Sequence, residues 1–432
     1  MSAISEIKEW MKNSAGFKLL LIGVLILLLL IPQGMIKSLI RERISYRNEV
    51  IHDICSKWAN SQSISGPILT VPFRQADPEK PLTYVTKNAH FLPEKLFIDG
   101  KVVPEIRYRG IYKVVVYNSK LQIKGNFNKL EINQLNLMHD DFLWDEAYIS
   151  LGINDMRGIK KKINILWDNQ SIEMQPGVPS ADVISSGVSA KVPIPENNIP
   201  FDISIDLNGS EQLSFTPVGK ETMVKISSPW NSPSFDGSFL PDHRNITADG
   251  FTADWNVLNL NRNYPQQWIG NNNSIESSQF GVKLLFPVDQ YLKTERSAKY
   301  AIMFIFLTFT LIFFFERFQK RRIHFIQYFF IGAALIIFYS LLLSLSEHIP
   351  FTWAYIVSAT AVISLILSYT YSMIKSLKST AILGVSLASI YLFLYTTLQV
   401  EDYSLLIGSI GVFFVLAILM YFSRKIEWGS EK

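Results

Sequence analysis

Hydrophobic and polar positions divide this chain into two textures. Six apolar runs are long enough to cross a bilayer, whose core of about 30 Å takes roughly 20 helical residues. They fall at 17–36, 299–315, 325–346, 351–374, 379–398 and 403–422. The second is short, but Lys299 and Arg317 flank it and can snorkel towards water. Just after the first run, Ile36, Leu39, Ile40, Ile44, Val50, Ile51, Ile54 and Trp58 recur at near-helical spacing, with charges between them. This pattern predicts an amphipathic helix over 37–60 that continues the first span.

From 65 to 298 the texture changes to strands. "GPILTVPF", "RYRGIYKVVVYNSKLQIKGNF" and "FDISIDLNGSEQLSFTPVGKETMVKISSPW" combine β-branched and aromatic residues with Pro and Gly punctuation. Asn208-Gly209 reads as a hairpin turn. Many short strands predict an antiparallel, sandwich-like β-rich domain. The Ser/Gly/Pro-rich passage 169–199 either splits it into two lobes or forms a long loop. The chain thus reads as a multi-pass α-helical membrane protein, one helix N-terminal and five C-terminal, with a large inserted β domain.

Charge sets the orientation. The basic loops holding Arg317, Lys320, Arg321, Arg322, and Lys375, Lys378, share a face with the N-terminus and with Arg424 and Lys425. The opposite short loops, "SEHIP" and "QVEDY", hold no Lys or Arg. Short basic loops stay inside. Residues 1–16 and 423–432 are therefore expected in the cytoplasm, 37–298 exported, and 299–422 a five-helix bundle. Lys8, Lys12 and Lys18 precede the first run, and no small-residue cleavage pattern follows, so 17–36 reads as an uncleaved signal anchor. One flank runs against the rule: Lys37, Arg41, Arg43 and Arg47 fall on the exported side. A long exported segment tolerates such charge.

Candidate chemistry is sparse. The single cysteine, Cys55, excludes an internal disulfide and a Cys-based zinc cluster, and its place on an apolar helix face predicts a buried structural thiol. No phosphate loop, H-E-x-x-H, G-x-S-x-G or paired histidine appears, so no catalytic, cofactor or metal residue is predicted. The net charge of +4 is confined mostly to membrane flanks and gives no nucleic-acid footprint. No charge lies at a span centre and no strongly broken helix pair appears, which argues against an ion-coupled transporter or proton pump.

Two polar groups remain. Glu347, His348, Glu401 and Asp402 lie at the exported ends of the third and fifth spans, and Glu295 and Arg296 enter the second at the same depth. They form a candidate functional rim, or they simply dock helix ends. In the exported domain, Trp230, Phe235, Asp242, His243, Arg244 and Arg262 form a candidate ligand-contacting set, with rings available to stack on sugars. The alternative is that Trp230, Phe235, Phe239, Trp255 and Trp268 pack between sheets.

The motifs "SGPILTVPF", "YRGIYKVVVY", "LGINDMRGI", "SPSFDGSFLP", "FTADWNVLNLNRNYPQ", "FGVKLLFPVDQYLKTERSAKYAIMFIFLTF", "YSLLLSLSEHIPFTWAY" and "LQVEDYSLLIGS" run through nearly the whole chain. In that order they resemble the CreD family of bacterial inner-membrane proteins. The resemblance implies a multi-pass inner-membrane protein with a large periplasmic domain. It also implies links to envelope integrity, stress response and colicin tolerance, under a sensor-kinase and response-regulator pair. It supplies no catalytic residues. The expected function is non-enzymatic: a periplasmic β domain that binds peptidoglycan, lipopolysaccharide or another envelope protein, anchored in the lipid bilayer. The alternatives are a membrane-embedded enzyme or small-solute transporter using the rim, and a signalling protein using the "ERFQKRRIH" loop.

Overall fold

The computed structural model describes residues 15–76, 84–194, 198–286, 290–319, 323–400 and 404–423. The chain divides into a helical unit, Met1–Arg47 with Val288–Lys432, and a β unit, Asn48–Pro287. These limits fall near the 37 and 298 expected from the sequence. Helices continue past their apolar runs, and their polar ends pack on one another.

The helices are α1 (Ala15–Trp58), α2 (Gln290–Gln319), α3 (Phe325–Ser346), α4 (Phe351–Ile374), α5 (Leu377–Gln399) and α6 (Ser404–Ser423). Among the described residues, α1 to α5 are long and apolar enough to cross a membrane. Small residues bring helices together. A Cβ at Gly332 on α3 would stand 2.4 Å from the Leu29 side chain of α1 and 2.9 Å from Phe309 of α2, so a larger residue would have to push these side-chain ends aside. Across α3, α4 and α5, Phe338 meets Tyr355 and Tyr391 edge-on, and the Tyr355 hydroxyl donates to the Tyr391 carbonyl at 2.6 Å. A buried tyrosine needs such an acceptor.

The β unit contains seventeen described strands: β1 (Gln62–Ala76), β2 (Tyr84–Phe91), β3 (Lys95–Arg109), β4 (Tyr112–Phe127), β5 (Tyr148–Ile153), β6 (Asn164–Trp167), β7 (Gln170–Glu173), β8 (Gln175–Pro176), β9 (Gly187–Lys191), β10 (Ile199–Ser210), β11 (Gln212–Thr216), β12 (Glu221–Ser228), β13 (Pro233–Gly237), β14 (His243–Thr247), β15 (Gly250–Leu258), β16 (Gln267–Ile269) and β17 (Phe280–Leu284). One sheet runs β13-β17-β11-β1-β5-β9-β8, with β2 and β16 added beside β1. The other runs β14-β15-β12-β3-β4-β10-β6-β7. The two sheets share one hydrophobic core, in which Trp255 of the second packs on Phe235 and Phe280 of the first.

Three expectations change. Pairing is mixed rather than purely antiparallel, because β1–β11 and β3–β12 run parallel. No lobe boundary falls at 169–199, since strands on both sides of it pair with each other in both sheets. Asn208-Gly209 is not a hairpin turn. Both residues lie inside β10, paired with β4 as far as Ser210, and the chain turns at Glu211, whose φ is 58°. There it crosses from one sheet to the other, because β11 belongs to the first. Gly209 is needed for the Tyr117 ring: a Cβ there would meet its hydroxyl at 2.4 Å. That hydroxyl donates to the Gln212 carbonyl at 2.6 Å and pins the crossing.

The end of α1 packs on β4, where Cys55 is buried against Val114 and Val116. Arg107 lies over the Trp58 ring at 4.7 Å, and Arg109 pairs with Asp53.

Candidate functional site

The rim forms where α3 ends. The turn after Ser346 leaves Glu347 as the helix cap, and Pro350 starts α4. The half-buried Glu347 carboxylate accepts from the Tyr291 hydroxyl at 3.4 Å and lies 3.8 Å from the Arg43 guanidinium. Arg47, one turn further along α1, covers the Tyr291 ring at 5.3 Å. Beyond Tyr291 on α2, Thr294 and Ser346 share a buried hydroxyl pair at 3.3 Å. Gln33 of α1 donates to the Ala298 carbonyl at 2.9 Å, while its Oε1 and the Ser297 hydroxyl are buried with no hydrogen-bond partner among the described residues. A polar seam thus descends between α1, α2 and α3.

Among the described residues, none of the other rim candidates pairs with Glu347. His348 is exposed, and Arg296 is half-buried. Glu295 pairs with Lys299 on its own helix at 3.4 Å. Glu401 and Asp402 lie outside the described residues, as do Lys320, Arg321, Arg322, Arg424 and Lys425. Near the end of α5, Gln399 accepts from Lys293 at 2.6 Å. Among the described residues the seam carries the Glu347 carboxylate, held by a phenol and a cation, an arrangement that can dock helix ends.

The loop candidates do not converge either. Trp230 donates to the Ser232 and Leu285 carbonyls at 3.1 and 3.2 Å. Phe235 meets Phe251 and Trp255 edge-on within the core. Asp242 accepts from the Asn256 amide at 2.7 Å, while His243 and Arg244 lie on β14, an exposed edge strand. Edge strands carry charge because it discourages further pairing. Arg262 is buried, and its guanidinium donates to the Tyr264 carbonyl at 2.5 Å, to the Val218 carbonyl at 3.4 Å and to the Gln266 side chain. Burial lowers its pKa to about 10. Trp230 and Arg262 stitch loops to the core.

One constellation had no local signal. Trp268, His90, Thr70 and Tyr148 stand opposite one another on four neighbouring strands, β16, β2, β1 and β5. The Thr70 hydroxyl lies 3.0 Å from His90 Nδ1, and Tyr148 stands opposite Thr70 on β5. His90 Nε2 lies 3.4 Å from Asp182, on the loop between β8 and β9, and Asn88 donates to the same carboxylate at 3.0 Å. Burial lowers the His90 pKa and pushes Tyr148 up to about 12. Burial works against the Asp182 charge, but bonds from Asn88 and Ser180 and the facing imidazole hold its pKa below the usual value. The row straps the loop onto the sheet. Only strand register could have revealed it, since its members lie scattered between residues 70 and 268.

A second unforeseen group closes the other end of the helical unit. Lys18 pairs with the buried Glu316 and donates to the Ile323 carbonyl at 2.7 Å, while Tyr328 donates to Glu316 at 2.9 Å.

The family model described as "Inner membrane protein CreD" matches residues 14–429. The chain belongs to the CreD family. The inner membrane protein CreD of Escherichia coli (strain K12) is 31% identical over 417 residues, covering 93% of this chain and 91% of that one. A CreD-family chain is an inner-membrane protein, which agrees with the apolar helices α1 to α5. The coverage extends over both units, so the CreD match includes the β unit as well as the helices.

Proposed function

We propose that this chain is a six-span inner-membrane protein of envelope integrity, with both termini cytoplasmic and the β unit in the periplasm. The β unit binds an envelope component or a partner protein, and the helices anchor it without catalysis. One observation carries the reading: the β unit leaves the chain from α1 at one end and returns through α2 at the other, both membrane-capable helices. A domain so connected would lie wholly on one side of the bilayer, and the basic short loops support a cytoplasmic location for the other side. Domain limits near 37–48 and 287–298 follow.

The experiment has two parts. In a Cys55→Ala background, cysteines at the exposed Met138 and Leu240 are expected to react with an impermeant maleimide in spheroplasts. Protection until lysis would reverse the orientation. The full chain in nanodiscs is then tested for retention on peptidoglycan sacculi and lipopolysaccharide. Alanine at Glu347, His348, Glu401 and Asp402 is expected to preserve complementation of a deletion phenotype. Loss of function in folded protein would favour the enzyme or transporter reading.

A further inference from the structure

The basic flank of α1 runs against the orientation rule, and the structure shows what surrounds it. Below it, Leu20, Val24, Leu27, Leu28, Ile31 and Met35 are exposed along one stripe of α1, as on a lipid-facing helix surface. Lys37 and Arg41, one turn apart, flank the upper end of that stripe. Neither has a carboxylate within 4.0 Å among the described residues. Arg43 flanks it on the other side, and its only described carboxylate is Glu347, at 3.8 Å, with 47% of the arginine side chain exposed. Glu42, exposed between Arg41 and Arg43, pairs with neither within 4.0 Å, and with Glu347 it leaves the three cations with a net positive charge. Cations without a direct ion pair at the upper limit of an apolar stripe lie where phospholipid phosphates concentrate.

We propose that Lys37, Arg41 and Arg43 form a binding collar for anionic phospholipid headgroups. The collar enriches such lipids around α1 relative to zwitterionic ones. Its cost to membrane orientation is accepted because the charges are used in binding. The inference rests on α1 crossing the bilayer, but not on which side the β unit occupies.

The test uses the full chain, with Cys55→Ala and Met35→Cys, labelled with bimane and reconstituted in phosphatidylcholine. Acyl-chain-brominated phosphatidylglycerol at a tenth of the lipid is expected to quench at least twofold more than brominated phosphatidylcholine at the same content. The excess should fall in 0.5 M salt, where screening shortens to a few Å. It should vanish in Lys37→Gln/Arg41→Gln/Arg43→Gln and persist in Lys37→Arg/Arg41→Lys, which controls for folding. Equal quenching by the two lipids, or an excess that survives the triple substitution, would overturn the collar alone. No quenching by either would remove the membrane-spanning reading of α1 and the collar with it.

Discussion

Lys18 and Glu316 form an ion pair between α1 and α2 across 298 positions of sequence. Glu316 is buried, and the Tyr328 hydroxyl satisfies its second oxygen. Removing one partner of such a pair leaves a charge without compensation, whereas replacing both is tolerated. Glu316→Ala is expected to destabilise the helical unit by about 3 kcal/mol, the low end for a buried pair because Lys18 keeps some exposure. Lys18→Met/Glu316→Leu should recover most of that loss. Thermal unfolding in detergent measures both.

Asp155 ties the end of α1 to the β unit. Its carboxylate accepts from the Asn60 amide at 2.9 Å and from Arg157 Nε and Nη2 at 2.9 and 2.7 Å. The Arg157 bonds hold its pKa down to about 2. The folded value lies below the unfolded one of 3.8, so the stabilisation is complete above about pH 5 and is lost as pH falls towards 2. It amounts to roughly 2 kcal/mol. Asp155→Asn should flatten unfolding free energy against pH between 5 and 2, and lower it at pH 7.

His90 titrates in a different window. Burial lowers its pKa, so the unfolded chain binds the proton more readily than the folded one. Stability is expected to decline as pH falls through the unfolded value near 6.5 towards the lower folded value. His90→Gln should remove that slope between pH 7.5 and 5.5. The Asp182 contribution lies lower, below the carboxylate's ordinary value, and should survive the substitution in part, because Asn88 and Ser180 still hold the carboxylate.

Gly209→Ala places a methyl group 2.4 to 2.8 Å from the far end of the buried Tyr117 ring, whose hydroxyl is held by the Gln212 carbonyl. A cost of about 2–3 kcal/mol is expected. Tyr117→Phe, which removes only the hydroxyl and leaves the Gln212 carbonyl unpaired, should cost about 1–2 kcal/mol. Equal small effects from both would show that the crossing between sheets is not pinned there.

Much of this organisation was legible in the sequence because it depends on local pattern. The six apolar runs matched helices, and the buried packing of Cys55 followed from helical spacing. The aromatic set around Trp255 was readable as sheet packing because alternation aims every second side chain at the core. Site residues were less legible. Glu347 gained its partners only when α1 returned Arg43 to the end of α3. Arg262 looked available for a ligand until the fold buried it among carbonyls.

The sequence by itself determined which segments are apolar enough for lipid, where the β-rich segment begins and which short loops are basic. These are properties of composition and period, felt within a few turns or strands. Only the tertiary structure decided that Asn208-Gly209 lies inside a strand, that β1–β11 and β3–β12 run parallel, and that His90 meets Thr70 and Asp182. Strand register and sheet assignment are fixed by pairings between distant segments. A local pattern can favour many of these, and only the packed core selects among them.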